Sequence, residues 1–260
     1  MANEIAQIIT NGLDQAFNTE SVADALPKDF NRARFIQNTI AVIKQNPTLT
    51  AYNQNELLTC CLKSAYLGLD FMNGEAWIVP YKGHPQWQLG YKGACKFVKK
   101  YSIRPMTDIY AKVVRKGDEF TYGVKDNKPY VEWKPVPFNG GEMVGVFAVA
   151  IFNDGGFLTE VMSKEDVDKI RKRSMASNNG PWVTDYEEMA KKTVLKRLCK
   201  MIETDFDNTE QKQAWESDND EFKRDVVETE VIDPFADKVV AESVAKEIDE
   251  QEGLPFAEVK

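Results

Sequence analysis

One histidine, four cysteines and scattered carboxylates are all the catalytic material in 260 residues. His84 sits in a Gly-His-Pro turn with no second histidine. Neither a Ser-His-Asp nucleophile nor a His/Cys zinc site can be assembled without it. Cys60, Cys61, Cys95 and Cys199 have no CxxC spacing and read as reduced cysteines packed among apolar neighbours. There is no GxxxxGK[ST] phosphate loop, so nucleotide hydrolysis by that route is unsupported. One enzymatic arrangement has some substance: Asp126 followed by Glu132-Trp133-Lys134. That order mimics a metal-dependent nuclease, in which carboxylates hold Mg²⁺ and a lysine helps position water. In a strand, however, Glu132 and Lys134 share a face and form a solvated pair more simply.

Binding chemistry is better supplied. The stretch QWQLGYKGACKFVKK, Gln86 to Lys100, interleaves Lys92, Lys96, Lys99 and Lys100 with aromatics, and Lys82 lies just upstream. A second cluster holds Lys169, Arg171, Lys172 and Arg173. A third holds Lys191, Lys192, Lys196, Arg197 and Lys200. On a helix, Lys192, Lys196 and Lys200 would form a row about 6 Å apart along the axis, close to the spacing of phosphates along a strand. Taken singly, each cluster also fits an ordinary solvated face. What distinguishes them is company. Gly83, Gly90 and Gly93 permit close backbone approach, and Trp77, Trp87, Tyr91 and Trp182 offer rings for base stacking, worth about 1–3 kcal/mol per base. Trp87 and Tyr91 share a strand face with Leu89, which puts Trp87 in the core. Phosphate neutralisation plus stacking is how single-stranded nucleic acid is held without reading its sequence.

A basic site in a chain of net charge -8 requires the charge to be unevenly spread, and it is. Residues 207–260 carry 6 Lys and Arg against 17 Asp and Glu, a net of -11, leaving 27 against 24, a net of +3, in residues 1–206. The composition of 207–260 predicts an acidic, mostly disordered tail. It contains an approximate repeat, PFADKV from Pro234 and PFAEV from Pro255, in which Phe235 and Phe256 are candidate anchors for a partner's apolar pocket ringed by basic residues. The tail's acidic Pro-Phe pattern is similar to the tip of bacterial single-strand binding proteins. The start, MANEIAQIIT, lacks the pattern of a secretory signal, and the longest apolar run, MVGVFAVAIF, is about half a membrane span. A cytoplasmic protein is expected.

The elements that must position these groups follow from periodicity. Helical spacing covers Asn31 to Gln45, Asn55 to Tyr66 and Tyr91 to Tyr101. Between them, alternation predicts a hairpin from Ala76 to Tyr91 turning at His84-Pro85. Further strands are expected at Asp108 to Arg115, Glu119 to Tyr122, Tyr130 to Trp133, Met143 to Phe152 and Gly156 to Val161. Ser163 caps a helix running to about Met175, and a last helix covers Asp185 to Ile202 with Leu195, Leu198 and Cys199 inward. The class is α+β, with central antiparallel strands and hairpins flanked by helices.

Four ordered blocks carry a family resemblance: LGLDFMNGEAWIVPYKG, QWQLGYKGACKFVKKYS, VVRKGDEF and WVTDYEEMAKKTVLKRLCK. Together, over roughly Leu57 to Ile202, they resemble the RecT family of phage and prophage single-strand annealing recombinases. The resemblance implies a non-catalytic, ATP-independent protein that binds single-stranded DNA, assembles into rings or helical filaments, and anneals complementary strands. It implies no required cofactor, with Mg²⁺ only as a modulator of DNA binding. Its implied partners are a phage exonuclease, the host single-strand binding protein or both, besides the strand and the annealed duplex. The family's GY[RK]G element falls on Gly90, Tyr91, Lys92 and Gly93, its REGDEF-like element on Arg115 to Phe120, and its helix signature on Met189 to Lys200. Lysine stands in for arginine at Lys92 and Lys116, keeping charge but losing bidentate geometry. The expected DNA contacts are Lys82, Tyr91, Lys92, Lys96, Lys100, Arg115, Arg171, Arg173, Lys191, Lys192, Lys196 and Arg197. The expected organisation is a helical N-terminal segment over residues 1–30 serving oligomerisation, an annealing body over 31–206 and a partner-binding tail over 207–260. Two rival readings are a Mg²⁺-dependent nuclease of the same pathway and an adaptor acting only through its tail.

Overall fold

A computed structural model describes residues 2–218 other than 175, 176 and 179. Helices α1 (Ala2–Asn18), α2 (Glu20–Ala25), α3 (Arg32–Gln45) and α4 (Gln54–Tyr66) come first. The hairpin β1 (Ala76–Tyr81) and β2 (His84–Leu89) leads into α5 (Tyr91–Tyr101). Strands β3 (Met106–Arg115), β4 (Glu119–Lys125), β5 (Lys128–Lys134), β6 (Met143–Phe152) and β7 (Phe157–Ser163) follow, then α6 (Lys164–Arg173), α7 (Pro181–Thr184), α8 (Tyr186–Met201) and α9 (Thr209–Glu216). All strand pairs are antiparallel: β1 with β2, β4 with β5, and a sheet in the order β3-β6-β7. The α+β class with antiparallel hairpins is as the periodicity predicts. No described helix is long and apolar enough to cross a membrane.

The unbroken apolar run of β6 is explained by its central place, because a strand covered on both faces cannot alternate with polar residues. Val146, Ala148, Ala150 and Phe152 belong to the main core, which also takes Val194 and Leu198 of α8. Phe147 and Val149 point the other way, into a smaller cluster completed by Phe120 and Trp133 of the β4-β5 hairpin.

Three expectations change. The hairpin turns at Lys82-Gly83, both at positive φ (48° and 87°), and His84 instead pairs with Tyr81 as the first residue of β2. That two-residue geometry matches strand twist, whereas Pro85 fits at the strand's start. The N-terminal segment is not a separate unit: Ile9, Leu13 and Phe17 of α1 are buried in the main core, and the Phe17 ring meets Phe30 and Phe35 edge-on. The boundary at 207 moves as well. In α9, Gln211 and Ala214 are buried, the Trp215 ring stacks on Phe97 at 4.7 Å, and Asn208 donates to Ala25 O at 3.0 Å. The packed body therefore extends to Asp218. Phe235, Phe256 and the Pro-Phe repeat lie outside the described residues.

Candidate nucleic-acid interface

The β1-β2 hairpin, the start of α5, the end of α6, α7 and α8 enclose a cleft of about 360 Å³. Strand alternation sends Trp77 out of the core, and its ring is 54% exposed at the cleft wall. Tyr91 opens α5 one residue past the N-cap Gly90, half-buried, with the Lys192 ammonium 5.8 Å from its ring centre. Arg173, exposed at the last position of α6, faces the same space. Aromatic surface and three cations, Arg173, Lys192 and Lys196, thus converge from elements far apart in sequence. Trp182 and Trp87, the other two candidate stackers, are buried: Trp182 lines the cleft at 5% exposure, and Trp87 donates Nε1–H to Ser64 Oγ at 2.7 Å inside the core.

The remaining predicted contacts are dispersed. Lys82 lies at the exposed hairpin tip over the Tyr81 ring, and Lys92 is exposed on the first turn of α5. Lys96 does not line the cleft. Its ammonium donates to Glu75 Oε2 at 2.7 Å and Gly68 O at 2.9 Å, fastening the turn before β1. Lys100 pairs with Asp29, and Lys191 with Glu188. Arg197 meets Glu160 at 2.8 Å across to β7, and Arg171 donates to Ser177 O at 2.8 Å. Arg115 is held by Glu187 at 2.5 Å and Gly141 O at 2.9 Å.

The expected row of exposed cations on α8 is a misreading. The helix packs against both the sheet and α5, so Lys196 is only 8% exposed while Lys200 is exposed. The Lys196 ammonium lies 3.0 Å from Asp218 Oδ2, in ion-pair contact but off the direction of a hydrogen bond. Asp218 Oδ1 accepts the Leu89 backbone N–H at 2.7 Å. Burial pushes the Asp218 carboxyl up, against the opposing pull of Lys196. Sequence reasoning missed Asp218 because it lies among acids assigned to a solvated tail.

Residues of two family-like elements have structural roles. A Cβ on Gly93 would stand 2.1 Å from Glu75 O, and one on Gly90 would stand 2.5 Å from Gly74 O, so the GYKG glycines admit the preceding turn rather than a ligand. In RKGDEF, the Asp118 carboxylate accepts the Arg115 N–H at 2.9 Å, Asn139 Nδ2 at 2.9 Å, the Val136 N–H at 3.0 Å and Trp133 Nε1 at 3.3 Å. These donors, Arg115 first, hold Asp118 well below the usual carboxylate range.

The nuclease arrangement does not form. Asp126 and Asn127 are the positive-φ turn of β4-β5, and Glu132 is four residues beyond Lys128, about 13 Å along the strand. Lys134 pairs with Glu119 at 3.3 Å, and His84 lies 3.0 Å from Glu56 on the surface. Among the described residues, no three His, Cys, Asp or Glu side chains gather as metal ligands.

Residues 33–233 match the model of the RecT family. The chain is 30% identical to Protein RecT of Escherichia coli (strain K12) over 200 residues, covering 73% of each chain. It is 32% identical to Uncharacterized protein YqaK of Bacillus subtilis (strain 168) over 135 residues, 51% of this chain and 45% of that one. The family match begins within α3 and runs past α9, wider than the four sequence blocks. The chain belongs to the RecT family.

Proposed function

We propose that this single-strand annealing protein of phage-type recombination holds one DNA strand along the cleft between the β1-β2 hairpin and α8. Its phosphates are neutralised by Lys92, Lys192 and Arg173, and its bases lie against Trp77 and Tyr91. The convergence of exposed Trp77 with Tyr91, Lys192 and Arg173 carries this reading. Base pairing supplies the free energy of annealing, and the protein removes phosphate repulsion and strand self-structure, so the cycle needs neither ATP nor a covalent step. One cleft covers only a few nucleotides, so copies must line up along the strand in a ring or helical filament. A phage exonuclease supplies the single strands, and residues 219–260, through Phe235 and Phe256, recruit that exonuclease or the host single-strand binding protein. Mg²⁺ acts only as a competitor for phosphate.

The test is annealing of labelled complementary oligonucleotides without ATP, alongside single-strand binding over a range of salt. Trp77→Ala should weaken binding by about 1–3 kcal/mol for each base it stacks. Combined Lys92→Ala and Lys192→Ala should lower the salt slope by about 1.4, or 0.7 per phosphate contact. Unchanged affinity and slope in folded variants would move the strand path elsewhere. Mg²⁺-dependent shortening of the DNA would restore the nuclease.

A further inference from the structure

Helices α5 and α8 run side by side in the same sense. Tyr91, the first residue of α5, meets Lys192 in the first half of α8, and past the C-terminal ends of both helices the Ile103 N–H donates to Glu203 O at 3.1 Å and the Asp205 N–H to Tyr101 O at 2.8 Å. Between these contacts, Cys95 Sγ of α5 lies 3.9 Å from Cys199 Sγ of α8. The two thiols are 104 residues apart in sequence and are each other's hydrogen-bond partners. Cys199 is 1% exposed, whereas Cys95 is half-buried and so within reach of a small reagent.

The other two cysteines differ in chemistry. Cys60 and Cys61 are buried on α4, and Cys60 Sγ donates to Pro85 O at 3.5 Å. Burial pushes the Cys60 thiol up to about 11 and raises Cys61 well above the ordinary thiol value. The hydrogen bond from Cys199 instead lowers Cys95 and favours its thiolate, the form that attacks disulfides. The attacking and resolving thiols are therefore distinct.

We propose that Cys95 and Cys199 form a reversible disulfide site, closed by exchange with low-molecular-weight disulfides of the glutathione type, which staples α5 to α8 beneath the cleft wall. The Cys95 thiolate attacks one sulfur of the small disulfide, breaking its S–S bond and releasing one thiolate. Cys199 then passes its proton to that released thiolate and attacks Cys95 Sγ, expelling the second small thiolate. Two protein thiols are oxidised and one small disulfide is reduced to two thiols, so electrons balance. The site is independent of the DNA reading, because it rests on the helix pair alone.

The full-length folded protein would be incubated with oxidised glutathione and followed by intact mass and thiol count. The expected result is loss of two thiols with a mass loss of two hydrogens, no retained adduct, and a peptide map joining the segments around Cys95 and Cys199. Closing so long a loop should raise the thermal midpoint by about 5–15 °C, reversed by dithiothreitol. Cys199→Ala should instead retain one glutathione on Cys95, and Cys95→Ala should retain none. Four intact thiols, a stable adduct on Cys95 in the natural sequence, a Cys60–Cys61 product, or a cross-link that lowers the midpoint would each overturn the proposal.

Discussion

At the scale of residues, charge alone does not separate an exposed cation from an internal strut; the partner does. Lys92 and Lys196 sit on helices in similar basic runs, yet Lys92 is exposed and Lys196 is sealed against Asp218, their side chains 10% and 5% exposed. Lys196→Ala should cost about 3–5 kcal/mol, because it strands a buried carboxylate, whereas Lys92→Ala should leave the urea midpoint almost unchanged. Equal midpoints for the two variants would mean the Lys196–Asp218 pair contributes nothing. Asp118 makes a second prediction. Its carboxyl is depressed in the fold, so the stabilisation it gives is present above the ordinary Asp range and drains as pH falls through that range toward the lowered value. Protection of the Arg115 and Val136 amides against exchange, relative to the unfolded rate at the same pH, should therefore fall below about pH 4 before the main core opens. Exchange that tracks the core at every pH would contradict this. Residues whose environment is set by their own strand or helix were legible: Trp87 alternates into the core and Tyr91 sits by the cations. The roles of Arg115, Lys96 and Lys196 depend on Glu187, Glu75 and Asp218, carboxylates 72, 21 and 22 positions away, and no local pattern announces such pairs.

At the scale of elements, periodicity served well where one face of an element is buried. The helices at Arg32–Gln45 and Tyr91–Tyr101 and the strand Met143–Phe152 fall where the spacing puts them, and Ser163 caps α6 by accepting the Asp166 N–H at 3.1 Å. Helix α9 has no readable apolar face, because its packing rests on Ala214 and Trp215 together with one buried polar side chain. Gln211, fully buried, donates to Tyr66 O at 3.4 Å and accepts the Asp207 N–H at 2.9 Å, which no hydrophobic pattern reveals. The GYKG glycines do permit close backbone approach, but the approaching backbone is the chain's own. Gly93→Ala should accordingly destabilise the body by about 1–3 kcal/mol or more, since Glu75 O belongs to backbone anchored by the next hairpin. Gly140→Ala, where the added methyl meets nothing within 4 Å, is the matched control. Similar denaturation midpoints for the two variants would show that the Glu75 turn yields freely.

At the scale of the whole molecule, the boundary between body and tail decides how the acidic charge acts. Truncation after residue 206 removes α9 and Asp218, uncovering Phe97 and leaving Lys196 without that carboxylate. It should give an unstable product, whereas a chain ending at Asp218 should keep its midpoint. The segment beyond Asp218 holds 13 Asp and Glu against 5 Lys and Arg, a net of -8. It departs from a residue that touches Leu89 and Lys196, both lining the cleft. A net charge of -8 that begins beside the cleft is expected to compete there with phosphate. Screening sets the range of that competition, with a Debye length of about 10 Å at 0.1 M salt and 3 Å at 1 M. The chain ending at Asp218 should therefore bind single-stranded oligonucleotides several-fold more tightly than the full chain near 0.05 M salt. The two curves should converge toward about 1 M as the tail's field is screened. Parallel curves at every salt would show that the acidic segment stays away from the cleft. Loss of binding in a folded chain ending at Asp218 would make that segment part of the DNA site.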